Sequence, residues 1–177
     1  MHSPPIRRLL PDQPFPPYSF VPGRFPHPTS DPAGHSFGIE PQTPAAIEPE
    51  RWDQCKPYLY GIDLFNAQYY WESHVEFESL WLACGRHGVT ADFLKGLIKL
   101  AAAGVKHLEG KPHGVTSHAC RATKLWEDVA QNLRGEQEFF LGFRLKALIE
   151  MAETIGGSGW PETPPCIFPS ENPEATG

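Results

Sequence analysis

Apolar and polar positions begin to alternate with a helical period after Pro49, and the pattern continues to Ile155. Residues 50–66 place Tyr58, Ile62 and Phe65 on one side, which predicts a helix broken near Pro57, followed by a corner at Asn66-Ala67-Gln68. Tyr70, His74, Phe77, Trp81 and Cys84 then recur at steps of four, three, four and three, the buried stripe of a helix over 68–84 that Gly85 closes. Glu72 and Glu76 fall on its other faces and are expected in solvent. Thr90 is placed to cap a third helix, with Asp92 in its first turn. That helix carries two apolar lines. One runs through Leu94, Leu97, Ile98, Ala101, Val105 and Leu108; the other, nearly opposite, through Gly96, Leu100, Ala103 and His107. Two buried faces put it in the middle of a bundle, and the small residues let a neighbour approach closely.

Gly110-Lys111-Pro112 separates the third helix from a fourth, whose stripe is Val115, Ala119, Ala122, Trp126, Val129 and Leu133. Gly135 marks a break. Glu136 and Glu138 open a fifth helix with Leu141, Leu145, Leu148, Ala152 and Ile155 inward, ended by Gly156-Gly157. No strand pattern emerges. The expected fold is all-α, a compact antiparallel bundle of four to five helices joined by short loops.

Proline sets the limits of that bundle. Thirteen of the 20 prolines precede Glu50 and five follow Trp160. Residues 1–49 therefore read as an extended proline-rich arm, 50–156 as the helical domain and 157–177 as a loose tail. Phe15, Tyr18, Phe20, Phe25 and Phe37 make the arm more apolar than a free linker, which favours docking on the domain.

A formal net charge of −6 and the lack of a basic stripe argue against a nucleic-acid partner. No apolar run is long enough to span a bilayer, and MHSPPIRRLL lacks a signal-type apolar region, so a cytoplasmic protein without a membrane partner is expected. Cys55, Cys84, Cys120 and Cys166 lack metal-type spacing and are expected to be free thiols.

The densest aromatic stretch, GIDLFNAQYYWESHVEFESLW over 61–81, followed by FLKGLIKLAAAGVKHLEGKPHG over 93–114, resembles the bacterial family called domain of unknown function 309. The likeness spans roughly residues 58–135. It rests on Gly61, Leu64, Phe65, Asn66, His74, Glu78, Trp81, Gly96, His107 and Gly114. It implies a compact all-α domain, and its members carry the label of predicted metal-dependent hydrolases. Two positions depart from the family pattern. Val75 replaces the carboxylate after the histidine, and Lys99 replaces a glutamine, which would bring an ammonium toward a cation site.

His74 and Glu78, one turn apart, are the candidate catalytic pair. With His107 they would form a three-ligand site for a divalent metal whose bound water serves as nucleophile for a small substrate. Asn66, Trp71, Trp81 and Lys99 are the other pocket candidates, although Asn66 also suits a helix corner and Lys99 a solvated charge. His113 and His118 are expected at the surface. The alternative is a non-catalytic interaction or scaffold module, in which His74 and Glu78 form a structural pair and the arm or the Trp71/Trp81 surface makes the contact. Its partner would be an unidentified small molecule or protein, and a homodimer is allowed.

Overall fold

The computed structural model describes residues 7–133 and 137–169. Five α-helices form the body: α1 (Lys56–Asn66), α2 (Tyr70–Ala83), α3 (Val89–Leu108), α4 (Pro112–Asn132) and α5 (Leu145–Ser158). Each helix packs on the one before it in sequence, so the chain folds back at every short corner. The fold is the expected all-α bundle. A 3-10 segment at Pro49–Gln54 precedes α1, and Pro57 opens α1 where an interruption was expected, because a first-turn position needs no N–H.

α3 has buried residues on both of its predicted lines and packs against both α2 and α4. Its glycines are steric requirements. A Cβ on Gly96 would lie 2.2 Å from Nε1 of Trp126, and one on Gly104 would lie 2.5 Å from the Tyr70 ring. Trp126, fully buried, donates its indole N–H to the Phe93 carbonyl at 3.1 Å, so the close approach also satisfies a polar atom.

Several local expectations are corrected. α2 is rotated relative to its predicted stripe: Tyr70, Ser73, Phe77 and Leu80 are buried, while His74 and Trp81 lie at the margin. Ser73 replaces His74 inside because its hydroxyl donates to the Gly61 carbonyl at 2.8 Å. Thr90 sits inside the first turn of α3, which begins after Gly88 (φ 90°) and has no side-chain cap. Leu141 is not helical. Phe139–Phe140 pairs antiparallel with Phe143–Arg144 around Leu141 (φ 48°) and Gly142 (φ 82°), a tight hairpin with positive φ at both central residues. Leu141 stays buried there, and its carbonyl accepts from the Tyr58 hydroxyl at 2.9 Å. Gly156 and Gly157 lie within α5, which ends before Gly159 (φ 84°). Gly135 and Glu136, expected to punctuate and open the fifth helix, lie outside the described residues.

The segment after α5 also departs from the loose tail that was expected. Trp160 packs on Phe65, Tyr70 and His107, and Ile167 is buried. Residues 170–177 lie outside the described part. Cys55, Cys84, Cys120 and Cys166 are all free.

Gly96→Ala is expected to cost about 1–3 kcal/mol by displacing Trp126 from the Phe93 carbonyl. Gly157→Ala, where nothing lies within 4 Å, should be neutral or slightly stabilising. Chemical-denaturation midpoints of the two variants give the comparison.

Candidate functional site

Besides Ser73, which bonds within the helix pair, three polar side chains are buried on the first two helices: Asp63 (1 % exposed), Asn66 (2 %) and Glu72 (5 %). A buried polar group needs a partner, and none of the three finds it within its own helix pair. Asp63 accepts the backbone N–H of Leu9 at 2.7 Å and of Leu10 at 2.8 Å, one on each carboxylate oxygen, with Arg8 Nε 3.6 Å away. Glu72 accepts the Phe20 N–H at 2.8 Å and lies 3.3 Å from Nε2 of His35. Asn66 donates to the Ile167 carbonyl at 2.8 Å and accepts the Ile167 N–H at 2.7 Å, a two-sided clasp on the backbone of one residue.

These contacts hold the two proline-rich segments on the bundle. Aromatic rings complete the docking: Phe15 stacks on Tyr69 (5.1 Å) and Tyr60 (6.4 Å), while Phe20 and His27 meet Trp71 edge-on at 5.2 and 5.4 Å. Glu72, expected in solvent, is therefore sealed under the arm, and burial pushes its carboxyl above the ordinary range against the lowering pull of the Phe20 N–H and His35. Asn66 is the last residue of α1, at the corner the sequence places there, but its side chain caps no helix and grips the C-terminal segment instead. His35 and Ile167 were not identified as site residues in sequence reasoning.

The predicted metal set is not assembled. His74 Nε2 lies 3.8 Å from Glu78 Oε2, and their side chains are 28 % and 49 % exposed. His107 is stacked on Trp160 at 5.5 Å, with its ring nearly parallel to the indole. Among the described residues no group of three or more His, Cys, Asp or Glu side chains could hold a metal ion, so the donors do not fit the three-ligand centre. Two surface hollows, one beside Ile47 and Cys55 and the other beside Met151 and Pro165, are lined by none of His74, Glu78 or His107.

The remaining candidates separate. Trp71 lies beneath the arm. Trp81 carries Arg86 and Lys95 near its ring face, at 5.9 and 5.6 Å, and its buried Nε1 has no partner among the described residues. Lys99 is half-buried rather than solvated; burial first, then Arg121 and Lys95, lowers its ammonium. Burial also lowers His74, against the opposing pull of Glu78. His113 is exposed as expected, but His118 is half-buried, and its Nδ1 is sealed without a partner among the described residues.

Glu76, expected in solvent, is half-buried, and burial raises its carboxyl from 4.5 to about 7. Between those values the folded chain holds a proton that the unfolded chain releases, so stability falls as pH rises from 4.5 through 7. Glu76→Gln should therefore be more stable than wild type at pH 8 by about 1–2 kcal/mol and equal to it near pH 4. Urea denaturation at the two pH values measures the difference.

No curated protein matches the chain. Residues 58–117, from the start of the buried face of α1 into the first turns of α4, match the family described as Domain of unknown function (DUF309). Asp63, Asn66, Glu72, His74 and Glu78 all fall inside the match, whereas the arm and the C-terminal segment that occupy the first three lie outside it. The likeness to that family is thus confined to residues 58–117.

Proposed function

We propose that this protein is a non-catalytic interaction module whose α1–α2 face grips extended, proline-rich polypeptide by its backbone. The carrying observation is that Asp63, Asn66 and Glu72 all direct their polar atoms to peptide groups of extended segments 52 to 101 residues away. Proline-rich chain has few N–H donors, and each of these side chains meets one of those that remain. Phe15 and Phe20, five residues apart, supply aromatic anchors against Tyr60, Tyr69 and Trp71. The same recognition suits a proline-rich, aromatic-bearing segment of another protein, in competition with the chain's own arm, which holds the face at high effective concentration.

A fluorescent peptide spanning residues 7–37 tests this. It should bind saturably to a chain lacking residues 1–40, and at least tenfold more tightly than to the full chain. If that truncation does not fold, full-length Phe15→Ala/Phe20→Ala, which weakens the arm and spares the receptor, takes its place. The absence of saturable binding to a folded receptor contradicts the proposal.

The competing reading is a metal-dependent hydrolase, favoured by one observation: His74 and Glu78 are a turn apart and both reach solvent. It requires a stoichiometric metal in the purified protein that is lost in His74→Ala. Elemental mass spectrometry of the two proteins should find none in either if the interaction reading holds.

A further inference from the structure

Around α3, which packs on both α2 and α4, a group of cations gathers. α3 contributes Lys95 and Lys99, one turn apart, α4 contributes His118 and Arg121, and α2 contributes His74 with its neighbour Glu78. Lys99 lies within electrostatic reach of Lys95, Arg121, His74, His118 and Glu78. The groups that act on His118 are all cationic or imidazole, and those that act on Lys99 include a single carboxylate, Glu78. Lys106, which also reaches His118, is committed to Glu109 at 2.7 Å.

Like charges held this near one another repel, as Arg121 and Lys95 do at Lys99. Neither Lys99 nor Arg121 makes an ion pair or a hydrogen bond with any described residue, although Lys99 is half-buried. The sealed, partnerless Nδ1 of His118 is better left as a bare lone pair than as a stranded N–H, which puts the ring proton on Nε2 as a donor. An ammonium, a guanidinium and an imidazole N–H from adjacent helices are the donor types that suit a small dianion.

We propose that Lys99, His118 and Arg121 form a binding site for a phosphate group, either free or as the monoester of a small molecule. Lys99 supplies a half-buried charge, Arg121 an exposed forked donor and His118 a neutral donor. Glu78, beside His74, opposes the anion and keeps affinity moderate. The site uses none of the peptide-gripping groups, so it stands or falls independently of that function.

Isothermal titration of the full-length protein at constant ionic strength, with inorganic phosphate in one series and glycerol 3-phosphate in the other, is the test. At least one probe should give saturable binding at a stoichiometry near one; tighter binding of the ester identifies a monoester ligand, and equal binding identifies the phosphate group alone. Lys99→Met and Arg121→Gln should each weaken binding about tenfold or more. Glu78→Gln should tighten it several-fold, a gain that a misfolded chain could not produce. Non-saturating titrations with both probes, or an affinity unchanged in both Lys99→Met and Glu78→Gln, would overturn the proposal.

Discussion

The carboxylate of Asp63 is buried on α1 and would be destabilising there without donors. It obtains them from two consecutive peptide groups of the arm, at Leu9 and Leu10, with the Arg8 guanidinium nearby. Hydrogen bonds to a charged acceptor contribute about 1.5–3 kcal/mol each, and a buried carboxylate stripped of them is strongly unfavourable. Arm and bundle are thus mutually dependent: the arm has no ladder of its own, and the bundle has an acid that only the arm satisfies. Glu72 repeats the arrangement one helix later with Phe20 and His35, and Asn66 does so with Ile167 at the other end of the chain.

This dependence explains how the two faces of the bundle differ. α3 lies at the centre because Gly96 and Gly104 let Trp126 and Tyr70 come close from either side. On one side α1 and α2 then present their acids to the proline-rich segments. Elsewhere, α3 and α4 leave Lys95, Lys99, His118 and Arg121 near one another with little acid to balance them. An extended polypeptide suits the first face, and a small anion suits the second.

The bundle itself was readable from periodicity, because the inward residues of α1, α3 and α4 are determined within each helix. Phe65, Leu97 and Trp126 lie where their spacing puts them. The orientation of α2 was not readable. Its pattern admitted His74 and Trp81 as inward residues, and what decides for Ser73 and Leu80 is a hydroxyl bond to Gly61 together with Glu72 turned under the arm. That second contact joins residues 52 apart, and Asn66 with Ile167 joins residues 101 apart, distances over which helical spacing carries no information. The short hairpin was missed because Leu141 is buried there as it would have been in a helix, and only Gly142 beside it hinted at a turn. His74 and Glu78 were correctly read as neighbours; the partner assigned to them, His107, is held instead by Trp160, which belongs to a segment expected to be loose.

Amide hydrogen exchange of the full-length chain reaches the central claim most directly, because the grip is made on four particular N–H groups. Leu9, Leu10, Phe20 and Ile167 should be protected in wild type although they lie outside any helix or strand. Each substitution should release its own set while the bundle amides stay protected: Asp63→Ala for Leu9 and Leu10, Glu72→Ala for Phe20, and Asn66→Ala for Ile167. Exchange of these four amides at open-chain rates in the wild-type protein would contradict the account.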